Sequence, residues 1–158
     1  MTGKGDGSKG TIKFRNKGDD GGHILAPADG YYTVTLNTAD NTAKMEKFEG
    51  TVTQYTTVGI SGSFNGWGET PMLPYNTEGV ENHAWYFVID ATPETASERG
   101  SCEFKFRTDG SWLGFGPADG AFNASGIAGS GANLGLPIGS KYVISFNDIT
   151  GAFSIVAL

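Results

Sequence analysis

Short stretches in which apolar and polar residues alternate run along most of the chain, each closed by Gly, Asn, Asp or Pro. A period of two marks a half-buried β-strand. On this pattern residues 11–15, 24–25, 31–36, 42–48, 55–62, 84–90, 102–108, 133–136, 141–146 and 152–158 are expected strands. The run 84–90, Ala-Trp-Tyr-Phe-Val-Ile-Asp, is the most hydrophobic of them. One helix candidate covers residues 92–100: Thr92 can cap it, Pro93 suits its first turn and Gly100 can end it. Residues 68–82 and 114–131 read as loops, with Phe115 and Phe122 standing in the second. Residues 1–10 are rich in Gly and Lys, have nothing to bury, and are expected to be disordered. Many short strands separated by turn residues predict an all-β sandwich or barrel.

The strand pattern also repeats. Ile12-Lys-Phe-Arg15 matches Phe104-Lys-Phe-Arg107 at an offset of 92, and Pro27 matches Pro137 at an offset of 110. With the second offset Tyr32-Thr-Val-Thr-Leu-Asn37 lies on Tyr142-Val-Ile-Ser-Phe-Asn147 without a gap. Internal similarity of this kind marks a repeat architecture. The expected organisation is a disordered start (1–10), the C-terminal half of a preceding repeat (11–50) and a complete domain (51–158). An alternative makes 11–50 extra strands on the sheet of that domain. The first copy lacks the loop that carries Trp112 and everything equivalent to 55–90.

Composition narrows the classes of function. Aromatic residues make up 12% and charged residues 18% of the 158 positions, a globular balance. Net charge is −6 and the 11 Lys and Arg form no stripe, which argues against a nucleic-acid partner. No apolar run approaches the roughly 18 residues of a membrane span. The opening residues lack a charged-then-apolar secretory signal and read as the start of an expressed fragment. The single Cys102 excludes an internal disulfide and reads as a buried, inert thiol, with only His23 and His83 available as a base. Asp19, Asp20 and His23 form no metal-ligand spacing, so neither metal nor cofactor is expected.

Two turns carry the candidate chemistry. Ser61-Gly-Ser-Phe-Asn-Gly-Trp67 is a strand end followed by a turn and a Trp. Glu103-Phe-Lys-Phe-Arg-Thr-Asp-Gly-Ser-Trp112 is an alternating strand, an Asp-Gly turn and another Trp. Alternation sends Phe104 and Phe106 to the core and Glu103, Lys105 and Arg107 to the outer face. Lys105 and Arg107 there offer donors for sugar hydroxyls. Trp67 and Trp112 lie outside any alternating core pattern, and a flat indole packs on the C–H patches of a pyranose. The competing reading makes each Trp a plug over the sandwich edge. Trp85, inside an apolar strand, is expected in the core.

These residues resemble a known family. Gly62-Ser-Phe-Asn-Gly-Trp67, Phe104-Lys-Phe-Arg-Thr-Asp-Gly-Ser-Trp112 and Asn133-Leu134 resemble the glycogen- and starch-binding modules of debranching enzymes and of the AMP-activated protein kinase β subunit. The tandem arrangement and the Gly-rich loop before Asn133-Leu-Gly-Leu-Pro137 look like the SusE/SusF starch-binding outer-membrane lipoproteins. The resemblance implies an immunoglobulin-like antiparallel β-sandwich of the carbohydrate-binding-module type. It implies glucan contact by Trp67, Trp112 and Lys105, with Asn133 as the nearest match to a contributing Asn. It also implies a lipid-anchored protein on the bacterial outer membrane, part of a glycan-uptake system beside a TonB-dependent transporter.

Two rivals remain on the sequence. Glycoside hydrolysis requires two carboxylates about 5–9 Å apart, and Glu69, Glu78, Asp109 and Asp119 sit on loops with no protected pocket suggested. A non-catalytic module is therefore expected, with carbohydrate contact by Trp67, Lys105, Arg107, Trp112 and Asn133. The other rival is a structural spacer of a surface protein that binds no sugar, since fold alone does not fix function.

Overall fold

The computed structural model describes residues 9–11, 28, 30–75 and 83–158. The chain divides into two compact units, Met1–Thr51 and Val52–Leu158. The second unit is built from ten strands among the described residues: β4 (Val58–Gly62), β5 (Thr70–Pro71), β6 (Leu73–Pro74), β7 (Ala84–Ala91), β8 (Cys102–Thr108), β9 (Ser111–Leu113), β10 (Ser125–Ile127), β11 (Leu134–Leu136), β12 (Ser140–Asn147) and β13 (Ala152–Ala157). One sheet runs β10-β13-β12-β7-β6 and the other β11-β8-β4-β5, with β9 added to β8. All paired strands are antiparallel, so the unit is an all-β sandwich.

The alternation along β8 explains how the sheets meet. Phe104 and Phe106 are fully buried, and Phe106 stacks on Phe146 of β12 with ring centroids 4.3 Å apart. Ile60, Leu134, Leu136, Ile144, Phe153 and Ile155 complete the same core. Burial of one such ring is worth about 1.5–3 kcal/mol, which makes the facing pair a main stabilising contact. Trp85 and Phe87 are partly buried against this core, in line with the sequence pattern for Trp85.

Several local expectations change. The helix expected over 92–100 is only a 3-10 turn, Pro93–Thr95, after which Ala96 is extended at ψ 147°. Ser97 and Arg99 are drawn instead to the carboxylate of Glu103, a tertiary demand that local propensity does not contain. The strand expected from residue 55 begins at Val58. The loop 114–131 contains β10, and β5 and β6 occupy part of 68–82.

In the first unit β1 (Lys9–Thr11), β2 (Tyr32–Asn37) and β3 (Thr42–Lys47) form an antiparallel sheet in the order β1-β3-β2. Lys9 and Gly10, expected to be disordered, pair with Lys44 and Ala43. Tyr32 opposes Lys47 as Tyr142 opposes Ala157, each residue 110 positions on. The turns correspond too: Asn37 Oδ1 accepts from the N–H of Ala39 and Asn147 Oδ1 from that of Ile149. Asn41 and Gly151, again 110 apart, both have left-handed φ, 56° and 72°.

The pairing of β1 also has a counterpart in the second unit. β1 opposes β3 as β10 opposes β13: Thr11 pairs with Thr42, and Ile127 pairs with Ala152. Thr11 therefore stands at the end of β10, a strand that follows β8 in the chain. Residues 12–15 themselves lie outside the described residues, as do Ile24, Leu25 and the Asp19, Asp20 and His23 cluster.

Candidate functional site

The site forms on the outer face of the β11-β8-β4-β5 sheet, where two turns deliver their tryptophans. β4 ends in the 3-10 turn Ser63–Asn65. Asn65 holds this turn, with Oδ1 accepting from the N–H of Gly62 at 2.9 Å and Nδ2 donating to Thr70 Oγ1 at 2.9 Å. Gly66 and Trp67 both take left-handed φ, 62° and 64°, and the Trp67 N–H donates to Gly62 O at 2.8 Å. The left-handed backbone at Trp67 is costly for a bulky residue, so the surrounding bonds hold it there.

The second turn is a two-residue hairpin. Asp109 and Gly110 have φ of 45° and 81°, the double left-handed pattern that suits right-twisted strands. Thr108 opposes Ser111, and Arg107 opposes Trp112. Trp112 therefore lies in a strand on the outer face, where the sequence had placed it on a turn. Asp109 Oδ1 accepts from the N–H of Thr57 at 2.8 Å and ties the hairpin to the chain before β4.

Together the two turns bring residues 67 and 112 into contact. The Trp67 and Trp112 ring centroids are 6.2 Å apart, with planes tilted by 55°. Both rings stay in contact with solvent, Trp67 at 37% and Trp112 at 45% of full exposure. Arg107 closes one face of Trp112, its Cζ lying 3.7 Å from the ring centroid, a cation–π geometry. Its Nη2 donates to Gly110 O at 2.7 Å and lies 3.7 Å from Glu69 Oε2. Gly59, opposite Arg107 in register, leaves the room Glu69 needs, since a Cβ there would stand 2.8 Å from Glu69 Cγ. Arg107 has only 14% of its side chain exposed and its Nε is buried without a partner among the described residues. It supports the indole from below.

The remaining candidates lie along the same face. Lys105 opposes Ser61, half-buried, and Ser61 Oγ is buried without a hydrogen-bond partner. Asn133 is drawn elsewhere: its Nδ2 donates to Glu103 Oε2 at 2.8 Å, and its N–H donates to Asp119 Oδ1 at 2.8 Å. Glu103, expected on the outer face, is fully buried beneath Asn133, Ser97 and Arg99. Burial pushes its carboxyl up, but hydrogen bonds from Asn133, Ser97 and Arg99 and the Arg99 charge outweigh this and hold it below the ordinary value. No pattern within residues 97–133 announces this network, because its members meet only after β11 pairs with β8.

The carboxylates near the face are occupied by protein groups: Glu69 by Arg107, Asp109 by Thr57 and Asp119 by Asn133 and Arg99. Glu78 lies outside the described residues. Cys102 is buried, and burial pushes its thiol up, while the His83 imidazole engages Asp148 and Gln54. The described residues include no cluster of three potential metal ligands and no helix long and apolar enough to cross a membrane.

No protein-family model matches the chain, and no curated protein matches it. Among solved structures it is similar to SusF from Bacteroides thetaiotaomicron, at 13% sequence identity and a TM-score of 0.48. That likeness covers 78% of this chain and 31% of the SusF chain.

Proposed function

We propose that the chain binds a polysaccharide of the α-glucan type without catalysing its hydrolysis. The observation that carries this reading is the solvent-exposed Trp67–Trp112 pair, tilted by 55° and backed by Arg107 on one side only. Coplanar indoles suit a flat, extended chain, whereas two planes inclined to each other suit a curved one. The side chain of Lys105, which makes no hydrogen bond or ion pair among the described residues, is the nearby donor for a hydroxyl. Arg107 acts through Trp112, and Asn133 through the loop it ties to Glu103.

A non-catalytic role is supported by the state of the carboxylates. A general acid needs a raised pKa and a clear approach to the scissile bond, and Glu103 is held low and buried. The resemblance of the tandem arrangement and of the Gly-rich loop before Asn133-Leu-Gly-Leu-Pro137 to SusE/SusF-type lipoproteins supports a place on the bacterial outer membrane, in a glycan-uptake system beside a TonB-dependent transporter.

Affinity gel electrophoresis and calorimetry with amylopectin, pullulan, xylan and β-glucan test the proposal. The expected result is retardation by amylopectin or pullulan, abolished in the Trp67→Ala, Trp112→Ala double variant. Equal binding by the double variant would remove the platform. Binding to xylan or β-glucan alone would overturn the α-glucan assignment. Retardation by none of the four would leave the two rings as structural packing in a spacer.

A further inference from the structure

The two units share a register but not an environment, and the difference lies at β2. In the second unit β12 is an interior strand, with β13 on one side and β7 on the other. Its inward residues Ile144 and Phe146 are 0% and 2% exposed. The matching residues on β2, 110 positions earlier, are Val34 and Leu36, at 57% and 53% exposure. β3 pairs with β2 along one side, and among the described residues no strand pairs with the other. Residues 33–37 make no further hydrogen bond that would occupy that edge. Among the described residues, an interior-strand sequence is thus displayed on an edge without a pairing strand, with two apolar side chains exposed.

What fits beside β2 is specified by what lies beside β12. There β7 pairs antiparallel, placing Phe87 opposite Ile144 and Trp85 opposite Phe146. Both aromatic residues pack on the core, together with Ile89, while Tyr86, Val88 and Asp90 alternate on the other face. The register at β2–β3 is the same as at β12–β13, so the same geometry is on offer at Val34 and Leu36. We propose that the free edge of β2 is an acceptor for an antiparallel strand of β7 chemistry, large apolar residues alternating with smaller or polar ones. The strand is supplied by another repeat of this module, by β-augmentation. The inference is independent of sugar binding.

The test uses the full 158-residue chain and a synthetic peptide carrying the sequence of residues 84–91, with terminal lysines for solubility. Amide hydrogen exchange is followed by NMR. The expected result is exchange slowed about tenfold or more at residues 33–36, with the amides of Val52–Leu158 unchanged. A peptide with Trp and Phe replaced by Ser should give no protection, and Val34→Asp with Leu36→Asp should abolish the effect. If that variant loses the β2–β3 hairpin, judged by the amides of residues 42–47, Val34→Thr with Leu36→Thr takes its place. No protection at saturating peptide would overturn the proposal. So would protection confined to the second unit. Concentration-dependent protection in the absence of peptide, with a cross-link joining residue 34 of one copy to residue 34 of another, would mean that β2 pairs with β2 of a second copy and would overturn it equally.

Discussion

Arg107 and Trp112 face each other across the β8–β9 hairpin, with the guanidinium carbon 3.7 Å from the centre of the indole. The arginine is fixed in turn by Gly110 O and by Glu69. One face of Trp112 is therefore committed to the protein, and the tilt of the exposed face is set by residues that need not touch a ligand.

Arg107→Leu keeps the apolar stem and removes the charge, the stacking plane and both anchors. A cation–π contact is worth about 0.5 kcal/mol when exposed and about 2 when desolvated, a change of roughly 2- to 30-fold in affinity. Calorimetry with amylopectin should rank wild type above Arg107→Lys and Arg107→Lys above Arg107→Leu, with a shifted Trp emission in both variants. Shifted emission with unchanged affinity would mean that the tilt of Trp112 does not matter for binding.

Glu103 couples stability to acid. Its folded pKa lies below 4.5, so the unfolded chain binds more protons in that range and stability rises with pH through it. The contribution is complete above 4.5 and is lost as pH falls through the lower, folded value. Glu103→Gln leaves Arg99 and Asn133 without their charged partner and should cost about 1–3 kcal/mol at neutral pH. Urea unfolding from about pH 6 to about pH 2 should show a flatter acid limb in the variant. An unchanged limb would assign the acid sensitivity to other carboxylates.

Gly135 tests how the long loop is tied to the sheet. It opposes Glu103 in β11 and donates its N–H to Ala121 O at 2.9 Å. A Cβ at this position would run into the carbonyl of Gly120, and a backbone atom cannot swing aside as a side chain can. Gly135→Ala should destabilise the second unit by about 1–3 kcal/mol and lower the melting midpoint by several degrees, read by circular dichroism. An unchanged midpoint would show that the 114–131 loop moves without cost.

Most of the strands could be read along the chain because each carries its own signal. Phe104 and Phe106 alternate with Glu103, Lys105 and Arg107, and Asp109-Gly110 encodes the hairpin after them. The short strands β5, β6 and β10 escaped because two or three residues, with Pro or Gly among them, hold too few positions to show a period. The 92–100 segment has the residues of a helix start, yet Ser97 and Arg99 are worth more on a buried carboxylate than in a second helical turn.

The sequence by itself determined the all-β class, the inward placement of Phe104 and Phe106 and the Asn65-Gly66 and Asp109-Gly110 turns that precede Trp67 and Trp112, since each depends on neighbouring residues. Only the tertiary structure decided that the two indoles touch, that Arg107 lies beneath one of them, that Asn133 is bound to a buried Glu103 and that Val34 and Leu36 stand uncovered. These are relations between residues brought together by strand pairing, or left apart by its absence. Strand register fixes them, and no local pattern encodes it.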